Sequence, residues 1–147
     1  MTGGARMVDV GAKRVTHREA VAEGVLKLRA TTVAAIRDGK LAKGDAFEIA
    51  RVAAIMAAKN TPQILPLCHP LPLTGIQVDL SLERSGVRCR TTVRTDAKTG
   101  VEMEALVATA TALLTVWDVV KPLEKDDQGQ YPETRLESLV VVKKVKA

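Results

Sequence analysis

An α+β fold, with helices packed on one face of an antiparallel sheet, is what this sequence predicts, and three observations predict it. Phe47–Lys59 is Ala-rich and Val101–Lys121 is long and apolar, so both read as helices. Ile76–Glu83 and Val87–Arg94 alternate apolar and polar residues across a Ser85–Gly86 turn, the pattern of a half-buried hairpin. Near the end, the β-branched run Val140–Val142 marks Leu136–Val145 as a further strand.

In chain order, residues 1–11, with Gly3, Gly4 and Gly11, read as a flexible arm. Thr16 followed by Glu19 has the form of a capping box, and Val21, Val25, Leu28 and Ile36 recur at helical spacing. A helix from Thr16 to Asp38 is therefore expected, with Gly39 at its end. Asp45 is the expected N-cap of the Phe47–Lys59 helix, and Thr61–Pro62 closes that helix. From Pro62 to Thr74, four prolines stiffen an irregular, apolar loop. Asp96–Gly100 is a loop, and Pro122 should end or kink the long helix because its ring meets the carbonyl of Asp118.

The 147 residues suit one domain with its own core. Aromatic residues make up only 2% of the chain, so Ala, Val, Leu and Ile must build that core. A net charge of +5 favours anionic partners. It leaves phosphorylated metabolites and nucleic acid open, although the aromatic platforms of single-strand binders are nearly absent. Cys68 and Cys89 make no disulfide framework, and the opening Met1–Val8 has no apolar stretch behind it. No apolar run reaches the length of a membrane span, because Glu102, Glu104 and Asp118 interrupt the longest one. The expectation is a soluble, cytoplasmic protein that meets neither membrane nor nucleic acid.

With no Cys-x-x-Cys, no spaced His pair and no phosphate-binding Gly-rich loop, no metal site is expected. Three clusters remain. In Leu67–Cys68–His69–Pro70, a stiffened loop presents a histidine that can donate to an oxyanion or exchange protons near neutral pH; the plain alternative is a loop histidine satisfied by backbone. Gly100 opens a helix whose first turn holds Glu102, Met103 and Glu104. Acidic residues there complement the helix dipole, but they can also accept from the N–H groups of a guanine-like base. Asp118 and Lys121 share a helix face at i, i+3, either as a surface ion pair or as an acid–base pair. Partial burial beside Trp117 would perturb both groups, and neighbouring lysines would lower the pKa of Lys121.

Glu102 and Asp118 lie sixteen positions apart, which is about 24 Å along a continuous helix. Both ends cannot serve one small substrate. If both clusters belong to one site, a second copy of the chain must supply one of them, so a homo-oligomer with interface sites is expected.

In this order and spacing, Met7–Val8–Asp9–Val10, Lys43–Gly44–Asp45, Ala57–Ala58–Lys59, Leu67–Leu71, Lys98–Ala105 and Trp117–Asp118 with Lys121 resemble the cyclic pyranopterin monophosphate synthases, the MoaC family of molybdenum cofactor biosynthesis. The resemblance implies a ferredoxin-like subunit and a hexamer of three dimers with interface active sites. It implies a phosphorus–oxygen lyase that rearranges a cyclised, GTP-derived triphosphate into cyclic pyranopterin monophosphate and releases pyrophosphate. No redox cofactor is implied, though a divalent ion can accompany the triphosphate. Residue by residue, Asp118, Lys121 and Lys43 match the catalytic positions, with Lys43 and Lys121 either catalytic or phosphate-binding. Leu67, Cys68, His69, Glu102, Met103 and Glu104 match substrate-binding positions. The tail departs from the pattern: many members end in Lys-x-Gly-Gly-Lys-Ser-Gly. Here Lys144 aligns best with the C-terminal active-site lysine, with Lys143 and Lys146 as alternatives.

Two other classes compete on residues alone. A basic nucleic-acid-binding protein would explain the charge but not the Asp118 and His69 settings. A structural subunit would explain the oligomer but none of the clusters.

Overall fold

The computed structural model describes residues 3–147. Its first regular element corrects the sequence reading. Thr16–Lys27 is a strand (β1), and only Ala30–Arg37 (α1) of the expected first helix is helical. The alternating residues Ala20, Ala22, Gly24 and Leu26 are all buried on one side of β1. At Gly24 there is no room for a side chain, because one there would come within 3.0 Å of Leu113 on the covering helix and 3.4 Å of Leu139 on the neighbouring strand. The Val21, Val25, Leu28 spacing and the Thr16–Glu19 pair mimic a helix that tertiary packing overrides.

The remaining order is Ala46–Lys59 (α2), Thr61–Ile64 (α3), Leu73–Glu83 (β2), Gly86–Ala97 (β3), Glu102–Glu124 (α4) and Arg135–Lys146 (β4). Asp45 caps α2 as expected, accepting from the backbone N–H groups of Phe47 and Glu48. The expected proline loop begins with the single helical turn α3, where Pro62 occupies the first turn and its missing N–H costs nothing. The hairpin is present, and β3 runs on through Asp96 into the expected loop. Helix α4 runs past Pro122 by two residues, so the proline sits in its last turn.

All strand pairs are antiparallel, in the order β2-β3-β1-β4. With one helical crossover between β1 and β2 and another between β3 and β4, this is the ferredoxin-like arrangement. The helices α2 and α4 cover one face. Leu26, Val87, Cys89, Leu113, Val116 and Val120 fill the space between the layers. The other face carries an ionic lattice: Glu23 pairs with Arg88 at 3.0 Å and Arg90 at 2.6 Å, Glu19 with Arg94, and Glu83 with Arg88. Helix α4 is long and apolar enough to cross a membrane, but here it is the central core helix, with Ala105, Ala108, Ala112 and Val116 fully buried.

At the hairpin, β3 begins at Gly86, opposite Lys27. A Cβ there would lie 2.1 Å from the Leu26 carbonyl oxygen, against backbone that cannot turn aside. Gly86→Ala is expected to destabilise the fold by about 1–3 kcal/mol or more, read from the midpoint of urea unfolding.

Candidate active site

The sequence-predicted residues gather at the two ends of α4. At its C-terminal end, Asp118 accepts from two lysines. Lys43 Nζ donates to Oδ2 at 2.9 Å, and Lys121 Nζ lies 3.0 Å from Oδ1. Lys121 reaches back one turn along α4, whereas Lys43 comes from the turn between α1 and α2. The proline explains part of this geometry. Pro122 has no N–H to give the Asp118 carbonyl, and Lys43 Nζ lies 3.4 Å from that oxygen in its place. Lys43 thus holds both the backbone and the carboxylate of one residue.

Asp118 is exposed beside Trp117, not partly buried as the sequence suggests. The hydrogen bond from Lys43, followed by that from Lys121, pulls its carboxyl down to about 2. Lys121 also departs from expectation: its pKa is raised, first by its hydrogen bond to Asp118, because the adjoining carboxylate outweighs the neighbouring lysine. At neutral pH it is therefore an ammonium, placed to give a proton or hold an anion.

The signs follow. A carboxyl held low favours the folded state above pH 3.8, and that contribution is lost as pH falls through about 2. An ammonium held high contributes below pH 10.5 and loses this as pH rises through its raised value. Solvent screens both effects at these exposed side chains. In Lys43→Met, Asp118 should titrate between about 2 and 3.8, as followed by carboxyl ¹³C NMR; an unmoved midpoint would mean Lys43 does not hold it.

At the N-terminal end of α4, the loop after α3 faces the first helical turn across a cleft of about 640 Å³. Leu67, Cys68, His69, Glu102 and Met103 line it. Glu104 lies behind, 2% exposed, and Cys68 Sγ donates to its Oε2 at 3.8 Å. Burial pushes the Glu104 carboxyl up, and Glu102 adds to the shift. Burial, and then the Glu104 charge, also push the Cys68 thiol up, so Cys68 sits here as a thiol donor and not as a thiolate nucleophile. Among the described residues, Glu104 Oε1 and Glu102 Oε2 are buried acceptors without a hydrogen-bond donor. Gly100 leaves room for this arrangement, because a Cβ there would meet the Glu102 carboxylate at 2.5 Å.

The strand β4 adds a cation. Lys144 is paired opposite Ala20, on the helix-covered face, and its Nζ lies 3.5 Å from Glu102 Oε2, an ion pair without hydrogen-bond geometry. Lys143 pairs opposite Val21 and so points to the other face, while Lys146, opposite Arg18, lies further along. Of the three alternatives, Lys144 is the one joined to the cleft.

Sequence reasoning missed the first segment's part in this cleft. Of the expected arm, residues 1 and 2 lie outside the described residues. Arg6, Val8, Val10 and Lys13 line the cleft, and Lys98 Nζ donates to the Gly11 carbonyl at 3.1 Å. The signal available was Met7–Val8–Asp9–Val10, quoted above for its resemblance, while Gly3, Gly4 and Gly11 around it give residues 1–11 the look of a flexible arm.

The structure therefore brings Lys43, Asp118 and Lys121 together at one end of α4. It brings Leu67, Cys68, His69, Glu102, Met103, Glu104 and Lys144 together at the other. It does not bring the two groups to each other. Fold and residues define a ferredoxin-like α+β protein with lysine–carboxylate clusters at opposite ends of its central helix. The sequence model of the MoaC family matches residues 7–147, and the chain belongs to that family.

Its relatives are similar over nearly their whole lengths. A probable cyclic pyranopterin monophosphate synthase accessory protein of Methanothermobacter thermautotrophicus is 54% identical over 97% of this chain and 90% of its own. A probable cyclic pyranopterin monophosphate synthase of Sulfurisphaera tokodaii is 49% identical, over 97% and 94%. Another from Archaeoglobus fulgidus is 49% identical, over 98% and 92%.

Proposed function

We propose that this chain is a cyclic pyranopterin monophosphate synthase, a lyase of molybdenum cofactor biosynthesis. It converts the 3′,8-cyclised dihydroguanosine triphosphate into cyclic pyranopterin monophosphate with release of pyrophosphate. Family membership and the names of its relatives support the reaction class. The observation that carries the assignment to residues is the pair of lysines converging on Asp118.

Rearranging a purine-derived ring needs proton transfers at nitrogen and carbon, which Asp118 and the Lys121 ammonium can perform in turn. Expelling pyrophosphate as a cyclic phosphate closes needs cations around the triphosphate, and Lys43, His69 and Lys144 can supply them. Glu102, which lines the cleft, can accept from the N–H groups of the guanine-derived base, with Glu104 behind it. No redox cofactor enters this scheme. A divalent ion, where one takes part, would accompany the triphosphate.

The active unit in this reading is an oligomer, three dimers forming a hexamer, in which Lys43, Asp118 and Lys121 of one protomer face the cleft of another. The spacing of the two clusters supports it. So do the exposed apolar side chains of a protomer, Val52 and Met56 on α2 and Leu139–Val142 on the edge strand β4. A cytoplasmic location goes with a substrate made from GTP. The test supplies the cyclised triphosphate to the purified chain alone. Cyclic pyranopterin monophosphate and pyrophosphate should appear in equal amounts. Binding without turnover would leave the chain the accessory role that one relative's name carries.

A further inference from the structure

The segment between α4 and β4, residues 125–134, is not explained by the reaction as derived, yet it is tied down at several points. Asp126 accepts from the backbone N–H groups of Gln128 and Gln130, and its own N–H donates to the Gln130 carbonyl. At the far end, Thr134 donates to Glu124 at 2.7 Å. Glu124 is fully buried at the last turn of α4, and its carboxylate also accepts from the Thr32 hydroxyl and the Arg29 N–H. Arg29 then pairs with Glu133 at 3.3 Å. A loop anchored to a buried carboxylate and folded on its own Asp turn has little freedom.

What this anchoring positions is Tyr131. Its ring meets Trp117 edge to face, with centroids 5.2 Å apart and planes at 75°. The chain has one tryptophan and one tyrosine, and they stand against each other here. Trp117 immediately precedes Asp118 and lies one turn before Lys121, on the same helix face. We propose that Tyr131 is a positioning residue: held by the Glu124-anchored loop, it packs on Trp117 and fixes the Lys121 ammonium against Asp118. The proposal deepens the functional reading above and rests on it. In keeping with this placement, the Tyr131 oxygen is close enough that its phenolate, formed at high pH, adds to the raised pKa of Lys121 after the larger effect of Asp118.

The role assigned is to the ring, so the conservative variant separates it from hydroxyl chemistry. Tyr131→Ala and Tyr131→Phe are compared for kcat, KM, melting temperature and the emission of the sole tryptophan. The expected result is about a tenfold fall in kcat for Tyr131→Ala with KM changed less than threefold, a scale set by misplacing one proton-transfer group. Its Trp117 emission should shift to the red, and Tyr131→Phe should recover most of the kcat and the original emission. Undiminished kcat in Tyr131→Ala overturns the proposal, as does an equal loss in both variants or a change confined to KM. Should Tyr131→Ala not fold, Tyr131→Leu, which fills the space without an aromatic edge, takes its place with the same expected losses. If the unaltered chain forms no product, the functional reading fails. Trp117 emission then still decides whether Tyr131 holds that face, because it needs no turnover.

Discussion

Lys121→Ala is expected to lose about 10²–10⁴-fold in kcat, the usual contribution of one placed acid–base group, while the protein stays folded. The two halves of this expectation have separate causes. Lys121 is half exposed and its partner keeps a second cation, Lys43, at 2.9 Å, so removing it strands no buried charge. The far-ultraviolet spectrum and melting temperature should be close to those of the unaltered chain. Chemistry has no such reserve. Lys43 is held at the other oxygen of the Asp118 carboxylate and at the Asp118 carbonyl, so it is not placed to take over proton transfer from the side of Lys121. Near-normal turnover by Lys121→Ala would remove Lys121 from the mechanism.

Mixing two inactive variants is the second large effect. Lys121→Ala damages one end of α4, and His69→Ala damages the cleft at the other. Each alone should be inactive. Co-expressed in equal amounts, they should regain activity, because an interface between unlike variants holds one site with both ends intact. With random assembly, about one quarter of all sites would be whole. A site lying within one protomer could never be repaired this way, since every chain carries one defect. Mixtures no more active than the separate variants would overturn the interface site.

The parts of the fold that could be read directly were those where burial leaves a plain period. Ile76–Glu83 and Val87–Arg94 alternate strictly, and the Asp45 cap and the Ala-rich α2 follow from local chemistry. Strand β1 could not be read in that way. Its inward residues are Ala20, Ala22 and Gly24, the last without room for a side chain beside Leu113 and Leu139, and residues that small carry little hydrophobic signal. The ferredoxin-like topology came from motif resemblance, which does not depend on reading β1 correctly. For the site, residue types were legible and electrostatics were not. The lysine neighbours of Lys121 and its Asp118 partner at i, i+3 were both visible in sequence, but that the carboxylate prevails follows from its 3.0 Å contact, and the place of Lys43 on the other carboxylate oxygen exists only once the α1–α2 turn has docked on α4.

The central place of β1 in the sheet has a consequence for the order in which the molecule is made. Strand β1 lies between β3 and β4, so neither of its hydrogen-bonded neighbours exists until at least the next seventy residues or so, through β3, have been synthesised. Such long-separated pairings are slow to form, since a long loop must close before any contact rewards it. The β4 pairing also carries Lys144 to Glu102 and brings Thr134 near Glu124. A nascent chain halted just before β4 would therefore hold the Lys43–Asp118–Lys121 residues yet lack the lysine that pairs with Glu102 at the cleft. Synthesis of β4 is thus what completes both the Lys144–Glu102 pair and the anchoring of the loop after α4.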